Sequence, residues 1–240
     1  MKSFSPFGTF PTIALSTALF AIGAGAQPSA PSKTADQATS AGKSVAKSDS
    51  AKDGGDWKPL FDGKSLKGWA VTDFAGGGKI EVEKGQLVIN SGLMLSGVTF
   101  TNAIPKTNYE ISLEAMKVDG SDFFCGLTFP VGDSHCSLIL GGWGGGVVGI
   151  SSIDGMDASE NETTKFLNFE KARWYHIRVR VTSVKIEAWL DDEKLVDQMI
   201  EDRRISMRSG EIELNVPFGV ATYQTTAALK NFRFRELKSK

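Results

Sequence analysis

His135 follows Asp133-Ser134, and an imidazole titrates close enough to neutral pH to accept a proton from substrate. In that role His135 is a general base with the Asp133 carboxylate as its neighbour; the alternative is a solvated histidine in a hairpin. Nineteen residues on, Asp154-Gly155-Met156-Asp157-Ala158-Ser159-Glu160-Asn161-Glu162 gathers four carboxylates in nine residues. Asp154 and Asp157 are candidates for a general acid or polar support, and Glu160 and Asn161 for contacts to substrate. The same carboxylates at Asp154 and Asp157 suit a hard cation such as Ca²⁺. EF-hand spacing fails, because Met156 and Ala158 stand where oxygen ligands are needed. A plain acidic loop is the other reading. His176, the second of only two histidines, alternates with Arg178 and Arg180 and reads as surface.

Gly141-Gly142-Trp143-Gly144-Gly145-Gly146 satisfies G-x-G-x-x-G through Gly144, Gly146 and Gly149. The residues that follow read as strand, so the strand-turn-helix context of a dinucleotide site is missing. Trp143 is either an exposed platform for a sugar ring or a buried ring at a tight bend. Trp57, Trp69, Trp174 and Trp189 lie in strand-like patterns and read as core. Cys125 and Cys136 flank a hairpin centred on Val131-Gly132. An even loop puts both on one face, where they are either a disulfide or two buried thiols behaving as small apolar residues.

The elements that position these residues are strands. Tyr175, Ile177, Val179 and Val181 share one face of a run whose other face carries His176, Arg178 and Arg180. Residues 79–83, 109–116, 211–216 and 229–235 alternate in the same way. Half-buried antiparallel strands give this period, because successive side chains point to opposite faces. Turn signals separate the runs at Glu83-Lys84-Gly85, Val118-Asp119-Gly120, Val131-Gly132-Asp133, Asp191-Asp192-Glu193 and Ser209-Gly210. About a dozen short strands without a long helix predict an all-β, two-sheet antiparallel jelly-roll sandwich.

Composition narrows the functional classes. The 27 Lys+Arg against 28 Asp+Glu give a net charge of −1, without the basic excess of a nucleic-acid binder. Two histidines exclude a three-histidine metal centre, and two cysteines exclude an all-cysteine zinc site. Residues 13–24 are apolar but shorter than the ~20 residues of a membrane span. They end in Ala24-Gly25-Ala26, which predicts a signal peptide over 1–26 cut before Gln27, with an uncleaved anchor as the alternative. Residues 27–55 are polar, small and without aromatics, as a disordered linker is. The folded domain is expected over 56–238, secreted or periplasmic, with no transmembrane segment after cleavage.

The stretch from Trp57 through Pro59-Leu60-Phe61-Asp62-Gly63 to Gly68-Trp69 resembles the opening signature of the 3-keto-disaccharide hydrolase domain family. The Gly-centred strand Phe123-Phe124-Cys125-Gly126-Leu127-Thr128-Phe129 is similar to that family's Gly-centred strand. Arg173-Trp174-Tyr175-His176-Ile177 resembles its late Trp-containing strand, and Ile186-Glu187-Ala188-Trp189-Leu190-Asp191-Asp192 its following turn. The chain departs from the pattern at Cys136 and Leu138, where the family usually has Glu and Gln, and at Pro130, where it commonly has Arg. The resemblance implies a concanavalin A-like jelly roll acting, without a cofactor, on a 3-keto glycoside or polysaccharide fragment. Such a sugar is cleaved by base-assisted elimination and rehydration. A non-catalytic carbohydrate-binding module on the same fold is the alternative reading.

Overall fold

The structure, a computed structural model, describes residues 56–238. The signal peptide expected over 1–26 and the linker expected over 27–55 therefore lie outside the described residues. Fifteen strands form two antiparallel sheets. One sheet takes β1 (Lys58–Pro59), β3 (Ile80–Glu83), β4 (Gln86–Ile89) and β6 (Tyr109–Gly120). It is completed by β11 (Trp174–Val181), β12 (Lys185–Leu190), β13 (Glu193–Met199) and β15 (Thr225–Glu236). Its order is β13-β12-β11-β6-β15-β4-β3, with β1 also on β15.

The other sheet takes β2 (Trp69–Val71), β5 (Leu95–Phe100), β7 (Cys125–Val131) and β8 (Ser134–Gly142). To these it adds β9 (Val147–Ser151), β10 (Lys165–Phe166) and β14 (Gly219–Tyr223). Its order is β10-β9-β8-β7-β14-β5-β2. Sequence-distant strands lie side by side in both sheets, as in a jelly-roll sandwich.

The period-two pattern accounts for the layers. Ile111, Leu113, Ile177 and Val179 from one sheet and Leu127, Phe129, Leu138 and Ile150 from the other are buried together between them. The fully buried Tyr109 on β6 spans the gap, its hydroxyl donating to the Pro130 carbonyl on β7. The opening signature closes one end of the core. Trp69 is buried against Phe100 and Phe232, and its indole N–H donates to the Leu60 carbonyl at 2.8 Å. Asp62 accepts the backbone N–H groups of Lys64 and Ser65 at 2.7 and 2.8 Å, fixing the turn that delivers Trp69.

The turn chemistry holds at Lys84-Gly85, both left-handed between the paired ends Glu83 and Gln86, and at Asp191 in the β12–β13 hairpin. Three sequence expectations are corrected. Val118-Asp119-Gly120 is no turn; it ends β6, where Asp119 and Gly120 pair with Thr226 and Thr225. Glu211–Asn215 is a 3-10 helix rather than a strand, with Ile212 and Asn215 buried three residues apart as a three-residue turn requires. Of the four tryptophans read as core, only Trp69 is buried. Trp57, Trp174 and Trp189 lie half-buried on the outer face of the eight-stranded sheet, each stacked on a cation: Arg235 at 4.8 Å, Lys230 at 4.0 Å and Arg178 at 3.5 Å respectively.

Candidate functional site

The seven-stranded sheet turns Cys136, Leu138 and Leu140 of β8 into the core and leaves His135, Ser137 and Ile139 outward. Small residues keep this outer face low: Gly97, Gly126 and Ala221 stand in register across β5, β7 and β14. A Cβ on Gly126 would stand 3.0 Å from the Phe123 ring, so the glycine of the Gly-centred strand makes room for that ring. The 3-10 helix lies over the same face and is anchored by Asn215, whose amide donates to the Val98 carbonyl and the hydroxyls of Thr72 and Thr99.

Beside it opens a cleft of about 390 Å³. Its floor is Ser137, Ile139 and Ser151; Phe123, Trp143 and Tyr223 supply aromatic surface; Arg208 and Glu211 enter from the loop before and within the 3-10 helix. Trp143 is 43 % exposed and left-handed at φ 49 in the hairpin between β8 and β9. Asp122 fixes that hairpin: its carboxylate accepts the N–H of Phe123 and the N–H of Gly144, both at 2.8 Å. The Lys117 ammonium is buried under Gly145. Burial pushes its pKa down, partly opposed by Asp122. Across the cleft the Ser151 hydroxyl donates to Asp157 at 2.9 Å, and the other Asp157 oxygen meets Arg208 at 2.8 Å. This holds the Arg208 guanidinium 5.5 Å from the centre of the Trp143 ring. Glu211 accepts only a long 3.4 Å bond from Ala75 N–H, leaving its carboxylate the least committed of those in the cleft. Aromatic platforms facing a few charged groups form the kind of surface that binds a ring with one apolar face and equatorial hydroxyls.

A family model described as "3-keto-alpha-glucoside-1,2-lyase-like domain" matches residues 56–238. The chain belongs to this family. The fold recurs in a solved Bacillus subtilis protein of unknown function with a galectin-like fold. Its TM-score is 0.53 at 9% identity, covering 78% of this chain and 98% of that chain. It recurs also in a Crh5 transglycosylase solved in complex with NAG, with a TM-score of 0.51 at 9% identity over 76% of this chain and 84% of that chain. No curated protein matches.

Within this lyase-like domain the residues singled out from sequence separate. Trp143 lies in the cleft, and Asp157 behind its floor. His135 shares the outward face of β8 with Ser137 but lies beyond the lining of the cleft; partial burial and then Lys106 push its pKa below the usual imidazole value. Asp133 is a fully exposed hairpin residue paired with Lys106 at 3.0 Å. Asp154 accepts the Arg204 N–H at 2.7 Å and the Arg203 guanidinium at 2.6 Å, which hold its carboxyl below the usual range. Glu160 is exposed outside the cleft. Asn161 is buried and organises its loop, donating to the carbonyls of Ile150, Met156 and Asp157 and accepting from Thr163. His135, Trp143 and Asp154 thus do not converge. No cluster of three or more His, Cys, Asp or Glu suited to a metal stands among the described residues. No helix among them is long and apolar enough to cross a membrane.

Cys136 and Leu138 face the core, so no residue at those two positions reaches the cleft. The two cysteines share the core face, as an even hairpin loop requires, but Cys125 opposes Leu140 and Cys136 opposes Phe129. Four residues of strand separate them, roughly 13 Å, beyond the reach of a disulfide. Both are free thiols, and burial pushes Cys125 up to about 12 and Cys136 higher still. Asp122, Arg208, Glu211 and Tyr223 are site residues the alternation did not reveal. For Glu211 the available signal is Gly210 before and Pro217 after the run from Glu211 to Val216.

Proposed function

We propose that this domain binds a 3-keto glucoside with one ring face on Trp143 and breaks its C1–O bond by 1,2-elimination. The C3 carbonyl acidifies the C2 hydrogen. Glu211, the least engaged carboxylate of the cleft, takes that proton; the C2–H pair forms the C1=C2 bond and the C1–O pair leaves with the aglycone oxygen. Returning the same proton to the leaving oxygen balances the step, and water then adds across C1=C2 to complete net hydrolysis. Arg208, set by Asp157, donates to the oxygen on which the enolate charge develops. The observation that carries this reading is the fixed Trp143 platform facing Arg208 and Glu211 in one cleft of a 3-keto-alpha-glucoside-1,2-lyase-like domain. The reading includes a signal peptide over 1–26 that delivers the domain outside the cytoplasm, secreted or periplasmic, to a glycoside or polysaccharide fragment.

Incubation of the purified protein with a panel of 3-keto glucosides tests it. Release of aglycone is expected, with Glu211→Gln slowing turnover by about 10²-fold or more. A second reading, a non-catalytic carbohydrate-binding module, is favoured by one observation: Asp122 and Asp157 already have both carboxylate oxygens occupied. Saturable glycoside binding without aglycone release establishes that second reading in place of the first.

A further inference from the structure

Arg208 and Ser209 line a second, more polar cleft of about 690 Å³ that continues the aromatic one. Ser152, Gly155, Asp157, Arg204, Ser206 and Glu213 complete its wall with Met207. The charges are unequally engaged. Arg208 shares one contact with Asp157 and keeps about half of its side chain exposed. The Arg204 guanidinium is exposed and has no ion-pair partner among the described residues, whereas its neighbour Arg203 is occupied by Asp154 and Glu162. Arg204 packs over Gly155, where a Cβ would stand 2.6 Å from Nη2; the glycine leaves the guanidinium its place. The hydroxyls of Ser152, Ser206 and Ser209 have no hydrogen-bond partner among the described residues. Two guanidinium groups and three open hydroxyls around one hollow are the donor set that recognises an oxyanion. Two carboxylates oppose it from the same wall, Asp157, which is already paired with Arg208, and Glu213.

We propose that this second cleft is an anion subsite, so that the glycan carries an oxyanion, the carboxylate of a uronic acid or a sulfate ester, one residue away from the ring on Trp143. This rests on the reading of the aromatic cleft as the glycan site. Arg204 supplies the planar pair of donors, Arg208 joins the two subsites, and Glu213 limits affinity by its like charge.

The test is a titration of the whole protein with glucuronate, inorganic sulfate and glucose, followed by NMR at the Arg204 side-chain Nε–H, at the Arg208 Nε–H that the Arg204→Gln and Glu213→Gln variants both retain, and at the Trp143 indole N–H. Glucuronate and sulfate are expected to shift the Arg204 resonance saturably, and glucose to leave it in place. Arg204→Gln should weaken both anions at least fivefold, and Glu213→Gln should tighten both about two- to fivefold. An Arg204 resonance unmoved by either anion, or affinities unchanged in both variants, overturns the subsite. A response to glucuronate alone identifies the uronate, and a response to sulfate alone the sulfate ester. If the anions act as stated while neither sugar moves the Trp143 indole, the anion subsite stands and the glycan reading of the aromatic cleft fails.

Discussion

Asp122 accepts the backbone N–H of Gly144 at 2.8 Å, tying the glycine-rich hairpin that carries Trp143 to the start of β7. A left-handed tryptophan flanked by glycines gains little rigidity from its own loop, and Asp122 supplies the fixed point. Asp122→Ala should therefore loosen the platform. Loss of two hydrogen bonds to a carboxylate is expected to cost about 1.5–3 kcal/mol of stability. The NMR order parameter of the Trp143 indole N–H should fall together with glycoside affinity. An unchanged order parameter would place the rigidity elsewhere.

The carboxylate of Glu110 is fully buried on the eight-stranded sheet and contacts Arg178 at 2.9 Å, Arg180 at 2.7 Å and also Arg235. Removing it leaves three guanidinium groups facing one another with little access to water. Glu110→Ala is expected to destabilise by about 3–5 kcal/mol in urea unfolding, far more than a surface ion pair. A loss below about 1 kcal/mol would mean that the arginines find other partners.

Both histidines are neutral by preference in the folded state. Burial, and then Arg233, holds His176 below the ordinary 6.5, and burial and Lys106 do the same for His135. The unfolded chain therefore binds more protons than the folded one as pH falls through 6.5, so stability present above that value declines below it. Unfolding free energies from pH 7.5 to 5 should show that slope, and the double variant His135→Gln with His176→Gln should flatten it. An equal slope in the double variant assigns the acid limb to carboxylates.

Cys125 and Cys136 are inert while the chain is folded, because burial opposes the thiolate and no partner is within reach. A thiol reagent at neutral pH should label neither in the native protein and both in denaturant. Labelling of one equivalent under native conditions would show a local opening of the β7–β8 hairpin.

The strands were legible because their alternation is set by burial: Tyr175, Ile177, Val179 and Val181 face the core as the period requires. The site was legible only in part. Trp143 stands out through its glycines, but the Asp154–Glu162 stretch attracts notice by charge alone. Its Asp154 is neutralised by the Arg203 guanidinium, 49 residues away, and held by the Arg204 backbone N–H, a pairing that no local pattern records. Glu211 was hidden for a different reason. Glu211-Ile212-Glu213-Leu214 alternates like a strand, yet Leu214 is 52 % exposed, because Gly210 and Asn215 set a 3-10 turn that buries every third residue instead. Tertiary anchoring of Asn215 on β5 overrode the local period.

The central claim is that a sugar ring lies on Trp143. Isothermal titration of a 3-keto glucoside into the parent protein and into Trp143→Ala tests it most directly. The account predicts at least a tenfold loss of affinity, about 1.4 kcal/mol, with the fold intact by circular dichroism. Equal affinity in the two proteins would contradict it.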